Sequence, residues 1–304
     1  MTTQMQTLTK TEYRIPAATR PGYVSLTVAD LERQMFFYQD MIGLKVLRQE
    51  GAYADLGAGR EVLLRLTEMP NARRLRGTTG LYHFAILLPS QRELVRVVRR
   101  LFDRQYRNYP TDHIMTKTTY LDDPEGNNIE LYADTLEDGM MGVINGVFQA
   151  RRKNGSLSDG REALDVEALF RELASGDRTD TGMPPETRIG HFHLFVANLD
   201  ETLQFYHGLL GFDDMGLSHA VQMGMVSAGG YHHHIGFNTW IGAGAPPAPT
   251  GSLGMRYFTF VLPGQSDLDR LMERVQQAGL VPEQNEDGWA LWDPSQNLIV
   301  LGTP

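Results

Sequence analysis

Short stretches in which apolar and polar residues alternate recur along the chain, and they predict β-strands. The clearest is residues 189–196, which read Ile-Gly-His-Phe-His-Leu-Phe-Val. Successive side chains of a strand point to opposite faces, so His191 and His193 share one face and the large apolar side chains share the other. Two histidines on one face of an otherwise apolar strand are unusual.

A helix-spaced pattern follows a similar strand near the start of the chain. Residues 22–28 alternate as a strand, Asp30 suits a helix N-cap, and apolar residues then recur at helical spacing up to Gly43. Short strands are predicted around residues 52–56 and 62–66. The whole unit is therefore βαβββ.

This unit occurs four times. Residues 28–44 align with residues 196–212 without a gap, and residues 82–89 parallel residues 256–263 in the same way. Internal repetition of this kind is a strong sign of how a chain is organised. The four units span residues 21–67, 80–133, 188–240 and 254–302.

The repeat divides the chain into two halves and a connecting segment. We predict a first domain at residues 21–134 and a second at 188–304. Residues 135–187, rich in Gly, Ser, Asp and Arg, read as a structured surface linker with one helix near residues 166–173. Residues 1–20 read as a mobile tail.

Composition narrows the classes of partner and chemistry. The net charge is −9, which weighs against a nucleic-acid or anionic-membrane surface, and there are no cysteines, so any metal must be held by His, Asp, Glu, Tyr or water. Residues 1–10 are polar and lack an apolar signal region, and no apolar run approaches the roughly 18 residues that cross a bilayer. We therefore expect a cytoplasmic protein that binds a small molecule, with self-association into a homo-oligomer left open.

Four βαβββ units in two halves, with these motifs, resemble the vicinal oxygen chelate superfamily, which includes glyoxalases, bleomycin resistance proteins and extradiol dioxygenases. From about residue 21 onward, the layout is similar to that of extradiol ring-cleaving enzymes of the catechol 2,3-dioxygenase type. The resemblance implies an α+β fold in which the four βαβββ modules form two glyoxalase-like half-open barrels around a metal. It also implies Fe(II), with Mn(II) as the alternative, and a catechol-type diol that is cleaved with O2 to a muconic semialdehyde.

In this superfamily the metal ligands come from one position in the first strand of a unit and one in the last strand. The first-strand position holds, in chain order, Tyr23, His83, His191 and Tyr257. The last-strand position holds Glu130 in unit two and Val300 in unit four. Only units two and three together supply a full set, namely His83, Glu130 and His191, and two imidazoles with one carboxylate are typical of non-haem Fe(II) oxygenases.

This ligand set has two further implications. Sites in the family usually lie within one half, whereas this ligand set is divided between the two halves. Units two and three must therefore meet, either within one chain or between two. A single histidine on an apolar strand is more often a packed residue than a ligand, and Glu130 alone could be a capping or surface residue. Three such residues at corresponding repeat positions favour the metal site.

A glycine-flanked run at residues 229–238 contains three consecutive histidines. Extradiol enzymes carry an acid–base histidine here, before a small-residue strand, and His233 is the best match. His232 and His234 would face the opposite side of a strand, and His234 is assigned to substrate binding. The sequence leaves open which of the three is the acid–base residue, and a solvent-facing histidine run is the alternative interpretation.

Three more residues are candidates by the same resemblance. Tyr120 lies ten residues before Glu130, the offset at which extradiol enzymes carry a tyrosine that hydrogen-bonds substrate or oxygen, although a buried structural tyrosine would look the same. His113, in an Asp-His pair, resembles a histidine that contacts a substrate hydroxyl. His193 is expected to line the pocket or to orient a ligand.

Two other functions of the same superfamily stay open. A glyoxalase-like metal-dependent isomerase or lyase usually has four protein ligands, commonly with a glutamate where unit three has its histidine run. A metal-free small-molecule-binding resistance protein has lost its ligands, whereas this chain keeps three. Fold alone does not separate these functions from ring cleavage.

Overall fold

The computed structural model describes residues 13–304 and contains four βαβββ modules that correspond to the four predicted units. Module one comprises β1 (Arg20–Val28), α1 (Leu31–Phe37), β2 (Lys45–Glu50), β3 (Tyr53–Ala58) and β4 (Glu61–Glu68). Module two comprises β5 (Gly80–Leu87), α2 (Gln91–Asp103), β6 (Tyr109–Asp112), β7 (Thr116–Asp122) and β8 (Asn128–Asp134). The connecting segment holds β9 (Gly139–Ile144), β10 (Val147–Arg152), β11 (Leu157–Ser158), β12 (Glu162–Ala163) and α3 (Val166–Phe170). The predicted α+β class is confirmed.

The second half repeats this order. Module three comprises β13 (Arg188–Phe195), α4 (Leu199–Leu203), β14 (Asp213–Ser218), β15 (Met223–Ser227) and β16 (Ile235–Asn238). Module four comprises β17 (Gly254–Val261), α5 (Gln265–Gln277), β18 (Glu283–Asn285), β19 (Gly288–Trp292) and β20 (Leu298–Gly302). In modules one and three the helix continues as a π-helical turn that ends just before Gly43 and Gly211, both of which have positive φ.

Each large sheet combines one module from each half. The nine-stranded sheet has the order β12-β6-β7-β8-β5-β13-β16-β15-β14, and the eight-stranded sheet has the order β18-β19-β20-β17-β1-β4-β3-β2. The antiparallel pair β5–β13 joins module two to module three, and the pair β1–β17 joins module one to module four. Units two and three therefore meet within one chain. The ligand pattern required that they meet, and the sequence left open whether they do so within one chain or between two.

The main core lies between the two sheets. On β13 the alternation works as predicted, because Phe192 points away from the two histidines and is fully buried. Its ring centroid lies 5.0 Å from that of Phe258 on the other sheet. One face of the nine-stranded sheet is thus used for packing, and the opposite face carries His191 and His193.

Two parts of the chain differ from their sequence interpretation. Residues 1–12 lie outside the described part of the chain, but the rest of the predicted mobile tail is packed: Ile15 is 4% exposed and its N–H donates to the carbonyl of Gly211 at 2.9 Å. The connecting segment is more than a surface linker with one helix. Its strands β9, β10 and β11 form a separate sheet, β12 extends the nine-stranded sheet beside β6, and α3 is shorter than the predicted helix.

Within residues 13–304, no helix combines the length and the apolar character needed to cross a membrane.

Candidate metal centre and active site

Three ligand atoms converge on one face of the nine-stranded sheet. Glu130 Oε2 lies 3.1 Å from His191 Nε2 and 3.2 Å from His83 Nε2, and the two Nε2 atoms are 3.2 Å apart. All three side chains are buried. A metal about 2.1–2.2 Å from three ligands at right angles has ligand atoms roughly 3.0–3.1 Å apart, so these residues fit a facially bound ion.

Strand register creates this convergence. Glu130 on β8, Ala85 on β5 and His191 on β13 are aligned in one row across the sheet. The small side chain of Ala85 leaves space between the carboxylate and the imidazole. His83, two residues before Ala85, shares its face and completes the triangle.

Aromatic packing, rather than hydrogen bonding, orients the two imidazoles. Neither Nδ1 atom has a hydrogen-bond partner among residues 13–304. The ring of Tyr82 packs on His83 at a centroid distance of 4.9 Å, and the ring of Tyr132 packs on His191 at 5.2 Å. Nε2 is the nitrogen that faces the convergence point on both rings.

The electrostatics of the centre suit a cation. Burial lowers the pKa of His83 to about 3, so this ring is neutral near pH 7 and its lone pair is available to a metal. Burial alone would raise the pKa of Glu130. The hydrogen bond with His191 and the electrostatic interactions with His191 and His83 outweigh that effect and hold this pKa below its ordinary value. The centre therefore offers an ionised carboxylate together with the neutral imidazole of His83.

A cavity of about 390 Å³ opens onto these three residues. This volume lies within the range of roughly 300–1,000 Å³ that is usual for small-molecule sites. Methionines form much of its apolar wall, including Met223 and Met225 from module three. The cavity is polar mainly near the metal centre, where the predicted catalytic and substrate-binding residues His113, Tyr120, His193 and His233 line it together with His232.

His233 lies against the metal centre and is linked to a carboxylate through His232. Its ring centroid is 4.2 Å from that of His191, and its Nδ1 is 2.8 Å from His232 Nδ1. His232 Nε2 in turn lies 3.4 Å from Asp134 Oδ1. His232 Nε2 makes no hydrogen bond among residues 13–304, and the donor between the two Nδ1 atoms depends on the tautomer. A proton on His232 Nε2, facing the carboxylate, would make His233 Nδ1–H the donor. His233 Nε2 is then left without a proton.

Burial next to the other histidines holds the pKa of His233 well below its ordinary value, so the ring is neutral near pH 7. Burial also lowers the pKa of His232, although Asp134 opposes that shift. His232 was expected to face away from His233. The two rings instead meet, because residues 231–234 form a bend before β16 and the alternation of a strand does not apply there.

Tyr120 and His113 form a second hydrogen-bonded chain. His113 Nδ1 donates to the carbonyl of Gly160 at 2.5 Å, which leaves its Nε2 to accept from the Tyr120 hydroxyl at 2.9 Å. Burial, followed by the charge of Glu130, holds the pKa of Tyr120 well above its ordinary value, so the hydroxyl stays protonated. Tyr120 pairs with Glu130 across β7 and β8, which places it beside the metal centre.

The remaining two predicted substrate-binding residues have different surroundings. His193 lines the cavity, and its Nε2 accepts a hydrogen bond from Asn238 Nδ2 at 2.9 Å. His234 was predicted to bind substrate but lies outside the cavity wall. Its Nδ1 accepts from the backbone N–H of Ala228 and contacts Ser227 Oγ, both at 3.1 Å.

Comparisons with known proteins agree with this fold. The family model described as the Glyoxalase/Bleomycin resistance protein/Dioxygenase superfamily matches residues 20–131 and 188–300. The chain belongs to this superfamily. A relative from Bacillus subtilis (strain 168), named catechol-2,3-dioxygenase, is 42% identical over 285 residues, which cover 93% of this chain and 96% of the relative. The expected resemblance to catechol 2,3-dioxygenase is therefore confirmed, and the same relative supports a dioxygenase-type enzyme.

Solved structures of the superfamily share the architecture. A Bacillus subtilis protein provisionally described as a dioxygenase superposes with a TM-score of 0.63 at 13% identity, covering 96% of this chain and 87% of that one. Glyoxalase I from Zea mays superposes with a TM-score of 0.55 at 14% identity, covering 93% of this chain and 92% of that one. At these identities the likeness concerns the fold alone.

In the eight-stranded sheet, side chains fill the face that corresponds to the metal centre. The nine-stranded sheet has a cavity there. Register aligns Arg65 in module one with Gly236 in module three. The Arg65 guanidinium fills the face of the sheet and pairs with Asp55 at 2.9 Å and Asp287 at 2.7 Å, and the Tyr257 hydroxyl donates to Asp287. Among residues 13–304, the triad is the one cluster of His, Asp and Glu with metal-binding geometry.

Sequence reasoning missed several cavity residues. Met141, Phe148 and Arg161 come from the connecting segment, which has no counterpart in the repeat and so gave no positional signal. Gly236 was also missed, although aligning the last strands of all four units would have shown it. Its position corresponds to Glu130, and an added Cβ would lie 3.0 Å from His193 Nδ1.

Proposed function

We propose that this chain is an Fe(II)-dependent extradiol dioxygenase that cleaves catechol-type diols with O2 to a muconic semialdehyde, with Mn(II) as the alternative metal. The observation that carries the proposal is the triangle of His83 Nε2, His191 Nε2 and Glu130 Oε2, with edges of 3.1–3.2 Å, at the wall of a cavity. We assign these three residues as the metal ligands. When bound, the metal supplies Lewis acidity, open positions for substrate and O2, and redox chemistry between them.

Gly236 supports this function over that of a four-ligand isomerase. It occupies the position in module three that Glu130 occupies in module two, and glycine has no side chain to donate. A fourth protein ligand from this strand is therefore absent, and the ring of His193 occupies the space over Gly236 instead. A metal-free binding protein would have no use for three converging buried ligands.

His233 is assigned as the general base for the substrate. Its Nε2 has no hydrogen-bond partner among residues 13–304, its ring is neutral near pH 7, and it packs against the ligand His191. It would accept the proton of a catechol hydroxyl and later return a proton to the leaving oxygen. Asp134 and His232 would hold the tautomer that keeps Nε2 unprotonated.

Tyr120, His113 and His193 are assigned to substrate positioning. Because the Tyr120 hydroxyl donates a hydrogen bond to His113, the lone pairs of its oxygen are available to a substrate hydroxyl next to the metal centre. His193 forms part of the wall on the other side of His83, with ring centroids 5.1 Å apart. The apolar wall of methionines and Phe148 would exclude water from the reacting ring.

The activity is tested by loading the purified chain with Fe(II) under anaerobic conditions and then adding catechol and O2. We expect oxygen uptake equal to the catechol consumed, with both atoms of labelled O2 in the product. No uptake with any catechol, together with turnover of a hemithioacetal, would show that the dioxygenase proposal is wrong.

The ligand assignment is tested separately by metal content. We expect Glu130→Ala and His191→Ala each to lose bound Fe(II), because two ligands no longer hold the ion at a facial site. Val300→Ala, at the corresponding position in module four, should keep it. Equal metal content in the three variants would contradict the assignment.

A further inference from the structure

A second cavity, of about 590 Å³, lies apart from the metal centre. The ends of strands from both sheets line it, together with the loops at residues 69–79 and 241–253. It shares no lining residue with the first cavity. The two cavities are nonetheless neighbours, since Leu81 and Ile241 line the second and the adjacent residues Tyr82 and Trp240 line the first.

Hydrogen bonds hold the two loops of the second cavity together. The N–H of Thr79 donates to the carbonyl of Pro246 at 2.9 Å, and the N–H of Leu253 donates to the carbonyl of Arg73 at 3.1 Å. The Thr79 hydroxyl also donates to the carbonyl of Ser295 at 2.7 Å. The wall is therefore fixed by the fold and does not have to form around a ligand.

The charge of this cavity is opposite to that of the whole chain. The chain has a net charge of −9, yet the ionisable residues in the lining are Arg74, Arg76 and Arg256, without any Asp or Glu. The two carboxylates next in sequence to lining residues are already engaged. Glu68 accepts the N–H of Leu31, and Asp293 accepts the Tyr206 hydroxyl and the N–H groups of Ser295 and Asn297.

Each of the three arginines has guanidinium N–H groups without a partner among residues 13–304. Arg74 Nε donates to the carbonyl of Glu125 at 2.8 Å and its Nη2 donates to Asn127, which fixes the guanidinium and leaves Nη1 without a partner among residues 13–304. Arg76 is exposed, and its side chain has no hydrogen bond or ion pair within the described part of the chain. Arg256 makes one bond, from Nη1 to Thr67 Oγ1 at 2.7 Å.

Apolar side chains complete the lining. Met69, Leu75 and Trp292 are each between 43% and 51% exposed, which is high for large apolar residues. They lie in the same cavity as the three arginines. A ligand that satisfies both groups combines an anionic end with an apolar or aromatic body.

We propose that the second cavity binds a small organic carboxylate, with the carboxylate held by Arg76 and Arg256 and the apolar body against Met69, Leu75 and Trp292. This proposal does not depend on the dioxygenase activity, because it concerns different residues.

The test is isothermal titration of the metal-free full chain with trans-cinnamate, and with cinnamamide as a neutral ligand of similar shape. We expect cinnamate to bind at least tenfold more tightly than the amide. Arg76→Ala and Arg256→Ala should each weaken cinnamate binding roughly tenfold, which is the usual effect of losing a charge-assisted hydrogen bond. Both side chains are exposed, so the variants should keep the thermal unfolding temperature of the parent.

The matched control is Arg60→Ala, an exposed arginine outside both cavities, which should leave the affinity unchanged. Three results would overturn the proposal: no binding of cinnamate at millimolar concentration, equal binding of the acid and the amide, or a loss of affinity in Arg161→Ala but not in Arg76→Ala. The last result would place the ligand in the first cavity.

Discussion

At the scale of single residues, His233 has the surroundings that a general base requires. Its Nδ1 is hydrogen-bonded to His232, its ring lies on His191, and burial keeps it neutral. We expect His233→Ala to lower kcat for catechol cleavage by about 10²–10⁴-fold, the usual contribution of general acid–base catalysis. Oxygen uptake under saturating catechol measures the change.

Bound metal in the same His233→Ala preparation should stay at the parental level, because the triad is untouched. His219→Ala is the matched control, since this histidine is exposed and pairs only with Asp200. Parental kcat in His233→Ala would remove this residue from the mechanism.

His234 illustrates how a single histidine affects stability through its protonation. Burial lowers its pKa to about 3, while an unfolded histidine titrates near 6.5. Because the unfolded chain binds a proton more readily in this window, the native state loses stability as the pH falls below about 6.5. From pH 7 to pH 5 we expect His234 to cost about 1–2 kcal/mol of the free energy of unfolding.

The pH effect is measured by urea unfolding of the metal-free protein at the two pH values. His234→Gln is the comparison, because an amide oxygen can still accept the N–H of Ala228 but does not titrate. The variant should lose about 1–2 kcal/mol less than the parent over this pH range. An identical loss in both proteins would show that His234 does not contribute.

At the scale of elements, two corresponding turns connect the modules within each half. Asp123, before β8, accepts the hydroxyl of Tyr38 at 2.9 Å, and Asp293, before β20, accepts the hydroxyl of Tyr206 at 3.0 Å. All four side chains are buried. Burial raises the pKa of Asp293 to about 6, although donors from Asn297 and Tyr206 oppose it.

We therefore expect Tyr206→Phe to lower the free energy of unfolding by about 1–3 kcal/mol at pH 8, because a buried carboxylate loses a donor. Tyr109→Phe, which changes a half-exposed ring, should stay within about 0.5 kcal/mol of the parent. Chemical denaturation of the three proteins measures both values. A Tyr206→Phe value as small as that of Tyr109→Phe would mean that the hydroxyl does not stabilise the turn.

The connecting segment shows where element-level prediction from sequence ends. Repeats identify the modules because corresponding positions recur, so βαβββ order, the Asp30 N-cap and the helix end at Gly43 could all be predicted and are confirmed. Residues 135–187 have no copy elsewhere in the chain, and their contribution of Met141 and Phe148 to the cavity could not be read from composition. The bend at residues 231–234 likewise breaks the strand pattern, so that His232 meets His233 instead of facing the opposite side.

At the scale of the whole molecule, the modules pair across the two halves and not within each half. The sequence places complementary ligand types in modules two and three, and the structure joins these modules through β5 and β13. The two sheets differ at one corresponding position, where module one has Arg65 and module three has Gly236, as the strand register shows.

Because both sheets are shared between the halves, cutting the connecting segment should not separate them. Residues 153–156 form an exposed turn between β10 and β11, where a protease site can be inserted between Asn154 and Gly155. After cleavage, we expect both fragments to elute together at the mass of the intact chain and to retain bound Fe(II), because the strand pairs β1–β17 and β5–β13 and the core between the sheets join them. Size-exclusion chromatography with metal analysis tests this expectation, and the fragments should separate only in denaturant. If they separate in native buffer and either one alone keeps the metal, the shared-sheet architecture is wrong.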